Sequence, residues 1–258
     1  MTAFKPLAMP GMRYHSIPLN HNSQLEYYSI GDVHGCYMEF VELINRIKED
    51  ASARNKRAFI ICHGDLIDRG PYFADVIQVA MNTCDVVLLG NHEHNFVLER
   101  LGKPCNSNSR QISHDKFDEC SSLTQASTMS FLNRLYNFSV VQIGDRTFFL
   151  SHAPLKNMES YTDWKEYLHI GNAPYFCMRS SIPIDEDMKL LDENVTFVYG
   201  HQSWEFKELE EQKHEQAGRK AQYYNIDAGC VYGGKLVALR LSDLGELFVN
   251  SKVKVAKH

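Results

Sequence analysis

Five short apolar runs in this chain each give way, within two residues, to a glycine or serine followed at once by aspartate, asparagine or histidine. The stops are Gly31-Asp32-Val33-His34-Gly35, Gly64-Asp65-Leu66-Ile67-Asp68-Arg69-Gly70, Gly90-Asn91-His92-Glu93, Ser151-His152-Ala153 and Gly200-His201-Gln202. Such runs have the length and composition of buried strands, whereas the stretches after the first two carry helical spacing. Tyr37, Phe40, Val41, Ile44 and Ile47 recur as one apolar stripe, and so do Phe73, Val76, Ile77 and Ala80. Strands are expected at Tyr27 to Ile30, Ala58 to Cys62 and Asp85 to Leu89, with a helix from Phe96 to Leu101. Phe138 to Gln142 and Arg146 to Leu150 read as a hairpin, followed by strands at Val195 to Tyr199, Tyr223 to Ile226, Leu236 to Leu241 and Glu246 to Val249. This alternation predicts an α/β sandwich of two mixed β-sheets flanked by helices. In open sheets of this kind the carboxyl ends of the strands face the ligand crevice, so the five stops are expected to converge there.

Residues 1–25 read as a lead-in, 26–250 as one catalytic domain and 251–258 as a tail. Within the domain, residues 103–130 are rich in Ser, Asn, Thr, Gln and Asp and are expected to form an insertion or cap outside the core; Asn172 to Asn194 reads as irregular. The net charge of -5 argues against stable nucleic-acid binding, which calls for a basic excess. Apolar runs far shorter than the roughly 18 residues of a membrane helix predict no membrane association. Seven cysteines with no C-x-x-C pair, and a start without an apolar signal core, predict a cytoplasmic protein with reduced thiols. It is expected to be a monomer.

The chemistry lies at the strand ends. Asp32, His34, Asp65, Asn91, His152 and His201 form a candidate ligand set of oxygen and imidazole donors without thiolate. That set suits Mn²⁺, Fe or Zn²⁺ in an open catalytic site better than a closed structural zinc site. Six donors sharing one carboxylate can hold two ions, and paired ions activate water and clamp a phosphoryl group during in-line displacement. Arg69 and Arg179 are candidate phosphate grips through their planar guanidinium forks. His92, beside Asn91, is the candidate acid for the leaving oxygen, with Asp68 orienting its imidazole.

In this order and at these spacings the motifs resemble the metallophosphoesterase superfamily, specifically the bacterial and phage type of serine/threonine phosphatase in the phosphoprotein phosphatase family. The resemblance extends to Asn225-Ile226-Asp227-Ala228-Gly229-Cys230-Val231-Tyr232-Gly233-Gly234, where Ala228 replaces a frequent threonine. It implies that Asp32, His34 and Asp65 hold one metal and that Asp65, Asn91, His152 and His201 hold the other, Mn²⁺ being favoured over Fe or Zn²⁺. Arg69, Asn91, His92 and Arg179 would contact phosphate, and His92 with Asp68 would form the acid pair. It further implies hydrolysis of phosphoserine and phosphothreonine in proteins by direct attack of metal-activated water.

The alternative on the same scaffold is a nucleotide hydrolase, acting on dinucleoside polyphosphates or 2′,3′-cyclic nucleotides. Within the resemblance, retention of Asp68 and Glu93 favours phosphomonoesters. A metal-binding scaffold without turnover is the non-enzyme alternative, against which the acid pair speaks. His63 has no place in the motif pattern, Cys36 and Cys230 read as buried small hydrophobes, and Trp204 and Tyr232 read as core or cleft-lining aromatics.

Overall fold

The computed structural model describes residues 14–17, 22–103, 111–154, 195–216 and 222–255. Arg179 and the segment Asn172 to Asn194 lie outside the described residues. Two five-stranded sheets carry the fold. The first contains β2 (Leu25–Ile30), β3 (Arg57–Cys62), β4 (Val86–Val87), β9 (Lys235–Arg240) and β10 (Gly245–Asn250), in the order β10-β9-β2-β3-β4. The second orders β1 (Tyr14–Ile17), β5 (Phe138–Ile143), β6 (Arg146–Ser151), β7 (Val195–Tyr199) and β8 (Gln222–Asn225) as β1-β5-β6-β7-β8. Both are mixed: β2, β3 and β4 run parallel, and β9 is antiparallel to β2 and β10. β6, β7 and β8 run parallel, and the predicted hairpin pairs β5 with β6 through Ile143 opposite Arg146.

Alternation along the strands divides the core. Tyr28, Ile30, Ile60, Cys62, Leu236 and Ala238 face a layer of helices. Their neighbours Tyr27, Ile61, Val237 and Leu239 face Phe148, Leu150, Val198 and Tyr224 of the other sheet. A strand buried on both faces reads as a continuous apolar run, which is why the sequence marks these strands so clearly. The helical layer is α1 (Tyr37–Ala53), α2 (Phe73–Thr83) and α3 (Asn91–Arg100), with α4 (Gln111–Asp118) and α5 (Ser122–Leu132) beside them. The sixth described helix, α6, spans Leu209–Gln216. α1 buries Phe40, Ile44 and Ile47 of the predicted stripe together with Leu43 and Ala51, while Tyr37 and Val41 are half-buried, and the chain turns away at Asn55 in the left-handed conformation, φ 56°.

Three expectations need amendment. The lead-in contributes β1, which pairs in parallel with β5. The polar segment after residue 103 is helical where described, and Phe117 enters the core against Phe73 and Phe96 at 6.2 and 5.4 Å between ring centroids. Phe117 on α4 and Leu132 on α5 suffice to dock the two helices, so low apolar density did not mean exclusion from the core. Finally, α3 starts at Asn91 and not Phe96, because Glu93 in its first turn accepts the Gly90 N–H at 3.1 Å and caps the helix there. No helix among the described residues is long and apolar enough to cross a membrane.

Candidate metal centre and active site

All six sequence-predicted ligands come together where the two sheets open. The loop after β2 supplies Asp32 and His34, the loop after β3 supplies Asp65, and the start of α3 supplies Asn91. His152 follows β6 and His201 follows β7. The backbone is strained there: His34, Asp65, Asp68, Arg69 and His201 all have positive φ, between 44° and 72°. A side chain in that region costs about 1–3 kcal/mol, so five such residues at one spot are held by the surrounding packing.

Carbonyl partners fix the imidazole protons. His152 donates from Nδ1 to the His63 carbonyl at 2.9 Å, and His34 donates from Nδ1 to the Ile67 carbonyl at 2.9 Å. Each therefore turns an Nε2 lone pair inward. His152 Nε2 stands 3.2 Å from Asn91 Oδ1, 3.2 Å from His201 Nδ1 and 3.4 Å from Asp65 Oδ1. Donors at about 2.1 Å around one tetrahedral ion would stand about 3.4 Å apart. A lone pair facing a carboxylate oxygen has no proton between them and calls for a cation. On the other side, His34 Nε2 lies 3.3 Å from Asp65 Oδ2 and 3.9 Å from Asp32 Oδ2. Asp65 thus offers one oxygen to each of two groups compact enough for a divalent cation: His34, Asp65 and His92 on one side, and Asp65, His152 and His201 on the other.

Electrostatics agree with that chemistry. Burial pushes Asp32 well above the usual carboxylate range, reinforced by Asp227 and Asp65. Burial acts the same way on Asp65, but His152, His92 and His34 outweigh it and hold the group well below that range. Burial lowers His34 to about 4, aided by the Arg69 guanidinium, and lowers His201 to about 3, aided by His152. Neutral imidazoles are the form that ligates metal. Asp32 is further held by the His201 N–H, at 3.2 and 3.1 Å to its two oxygens.

Glycine makes room for these groups. A Cβ on Gly200 would fall 2.1 Å from Asp32 Oδ1, and one on Gly90 would fall 2.2 Å from Asp65 Oδ1. Gly200→Ala is therefore expected to weaken metal affinity by about 10- to 100-fold, the scale of losing a support behind a ligand. Metal titration of the apo-protein reads this, and unchanged affinity would remove the close approach from the argument.

Of the remaining predicted residues, the described ones, His92, Asp68 and Arg69, also gather there. His92 Nδ1 is bonded to Asp68 Oδ2 at 2.5 Å, while its Nε2 faces Asp65 Oδ2 at 3.8 Å. Burial drags the His92 pKa down, but Asp65 and the Asp68 hydrogen bond outweigh it and the net shift is upward. Arg69 lies over the Tyr232 ring at 5.4 Å, and without a metal its Nη1 takes up the His34 Nε2 lone pair, the place a cation would claim. Its Nε is buried with no hydrogen-bond partner among the described residues. A guanidinium N–H left in that state is costly, and an oxyanion would satisfy it.

Four further residues support the site in roles the sequence did not assign. Asp227, 4 % exposed, crowds Asp32 from the end of β8; it follows an apolar run just as the five stops do, but without a preceding glycine or serine. Ser113 of α4 donates its hydroxyl to Asp68 Oδ1 and accepts the Asp68 N–H at 3.1 Å, a contact between distant segments that no spacing signals. Glu93 accepts the N–H groups of Asp65, Leu66, Ile67 and Gly90 at 2.7–3.2 Å, pinning the Asp65 loop to α3.

His63, unplaced in the motif, is a strut between the sheets. It donates from Nδ1 to the Ser151 carbonyl at 2.8 Å, receives the Ser29 hydroxyl at 2.5 Å, and its own carbonyl orients His152. Burial lowers its pKa to about 3. His63→Ala is expected to cost about 3 kcal/mol at pH 7 by stranding two buried polar groups. The unfolded wild type takes up a proton below about pH 6.5 that the folded imidazole refuses. Wild-type stability from this group is therefore full above pH 6.5 and lost as pH falls, and by pH 5 the gap to the variant narrows by about 2 kcal/mol. Urea unfolding at the two pH values measures the gap; a constant gap would contradict the neutral strut.

Such a site belongs to a phosphoesterase that works through metal ions. The chain belongs to the calcineurin-like phosphoesterase family, which it matches over residues 27–237. It is similar to the asymmetrical bis(5′-nucleosyl)-tetraphosphatase of Bacillus subtilis, 24 % identical over 246 residues that cover 89 % of this chain and 96 % of that protein. It is also similar to the symmetrical bis(5′-nucleosyl)-tetraphosphatase of Buchnera aphidicola, 30 % identical over 129 residues, 49 % of this chain; the match spans only 43 % of that relative. A crystal structure provisionally described as a diadenosine tetraphosphatase superposes with a TM-score of 0.58 at 17 % identity, covering 93 % of this chain and 98 % of the other. A serine/threonine phosphatase from Saccharomyces cerevisiae superposes at 0.53 and 13 % identity, covering 96 % and 85 %. These two likenesses extend to the fold, as predicted from the sequence.

Proposed function

We propose that the protein hydrolyses dinucleoside polyphosphates, cleaving bis(5′-nucleosyl) tetraphosphates asymmetrically, in preference to the phosphoserine and phosphothreonine substrates expected from the motifs. One observation carries the chemistry: the Asp65 carboxylate is divided between two donor clusters, 3.4 Å from His152 and 3.3 Å from His34. The substrate class is supported by the asymmetrical relative, whose likeness runs over 96 % of its length. The sequence argument for phosphomonoesters leaned partly on Glu93, whose carboxylate is occupied by four backbone N–H groups. A group that braces a loop does not select among phosphates.

In this reading Asp32, His34 and Asp65 hold one divalent ion, and Asp65, Asn91, His152 and His201 hold the other. Bound there, the pair supplies Lewis acidity toward phosphoryl oxygens and lowers the pKa of a water toward neutrality. Arg69 donates its unpartnered Nε–H to a non-bridging phosphate oxygen and neutralises charge that grows as the bond breaks. His92, protonated and braced by Asp68 and Ser113, gives its proton to the leaving oxygen. Arg179 is proposed as a second phosphate contact on its sequence position alone.

The intact acid pair also favours a second reading, phosphoserine peptides, because an alkoxide leaving group needs a proton more than a nucleotide phosphate does. Protein loaded with Mn²⁺, and in parallel with Fe²⁺ or Zn²⁺, is given diadenosine tetraphosphate, phosphoserine and phosphotyrosine peptides and 2′,3′-cyclic AMP. The expected result is fastest turnover of the tetraphosphate, to ATP and AMP. Two molecules of ADP would mean symmetrical cleavage, and faster turnover of a peptide would overturn the substrate assignment.

A further inference from the structure

We infer that Trp204 is the platform on which a nucleobase of the substrate stacks, a step that rests on the dinucleoside polyphosphate reading. Trp204 is 64 % exposed, unusual for an indole, which proteins mostly bury. Its ring centroid is 6.4 Å from that of His201, at an interplanar angle of 67°. The exposed ring therefore borders the His152 cluster directly.

The exposure is built in and does not come from a loose loop. Trp204 sits on a single 3-10 turn, Ser203–Glu205, that begins beside buried Gln202. The Gln202 carbonyl accepts the Glu205 N–H at 3.0 Å and the Asn225 amide at 2.9 Å. Asn225 is in turn clamped by Gln212, through its N–H at 2.8 Å and its carbonyl at 2.8 Å. On the opposite side Gly229 approaches so closely that a Cβ there would lie 3.3 Å from Ser203 Cβ. The backbone is thus anchored in a buried amide network while the indole is turned outward.

A ribose separates a base from its phosphate. Phosphate held at the donor clusters accordingly delivers its base to a ring beside the clusters and not within them, which is where Trp204 lies. Stacking on an aromatic face tolerates any base, so adenine and guanine dinucleotides should be accepted with similar affinity.

The test separates stacking from support of His201. Trp204→Ala is expected to raise KM for diadenosine tetraphosphate roughly 10- to 100-fold, the scale of one lost base stack. Turnover of inorganic tripolyphosphate should stay within about twofold, since it has no base to stack, and Trp204→Phe should restore most of the tetraphosphate affinity. The chain has two tryptophans, so Trp164→Phe leaves Trp204 as the sole indole reporter. In that variant ADP should quench the fluorescence and tripolyphosphate should not. Equal losses on both substrates would assign Trp204 to holding His201, and an unchanged KM or equal quenching by both ligands would equally overturn the platform. A wild type that prefers phosphopeptides refutes the substrate reading instead, and the fluorescence arm then still decides whether a base reaches Trp204.

Discussion

Asp65→Asn is expected to lose more than about half of the bound metal and to lower kcat/KM on the order of 10⁴-fold, the equivalent of several kcal/mol of transition-state stabilisation. The substitution is nearly isosteric, and Asp65 is buried among Asp32, Asp227 and four imidazoles, so the effect comes through charge and not volume. An amide retains one oxygen and places an NH₂ toward the other cluster. There it donates to the lone pair of His152 or His34, occupying the direction from which a cation would be held. Both clusters weaken together because both share this one group. Metal analysis and kinetics on the same preparation check it, with circular dichroism confirming the fold. Full metal content in Asp65→Asn would falsify the shared-carboxylate geometry as a cation site.

His92→Ala should behave differently: metal content close to wild type, and a fall in kcat that depends on the leaving group. A positioned acid contributes about 10²- to 10⁴-fold. The loss should lie near the lower figure on diadenosine tetraphosphate, whose leaving group is a stable phosphate, and near the upper one on an alkyl phosphate. The pH profile adds a sign. Asp68 raises the His92 pKa through their 2.5 Å hydrogen bond. Asp68→Asn keeps an oxygen able to accept that proton but removes the charge, which lowers the pKa, so the imidazolium is lost sooner and the alkaline fall of kcat moves to lower pH. A leaving-group-independent loss would reassign His92 from proton donor to ligand, a role its 3.8 Å distance from Asp65 also permits.

The substrate reading changed for a traceable reason. Motif content alone favoured phosphoproteins because the chain keeps Asp68 of the acid pair and ends its third motif in Glu93. The structure gives them different work. Asp68 faces His92, whereas Glu93 faces four peptide N–H groups and never reaches the crevice. Residue identity is legible in a motif; the direction of a side chain is not.

By itself the sequence determined the two-sheet fold and named the six candidate ligands that the fold gathers at one place. Strands buried on both faces must be continuous apolar runs, and a chain leaving such a strand into a crowded crevice must pass through glycine or a short polar residue. Both requirements are local and leave a local trace, and Asp32, His34, Asp65, Asn91, His152 and His201 were found through them. Tertiary structure alone decided the supports: Ser113 behind Asp68, His63 behind His152, Asp227 beside Asp32 and the outward indole of Trp204. Each depends on segments far apart in the chain meeting at hydrogen-bond or ring-contact distance. Nothing in local spacing encodes such a meeting, because it is the packing of the two sheets and their helices that brings those segments together.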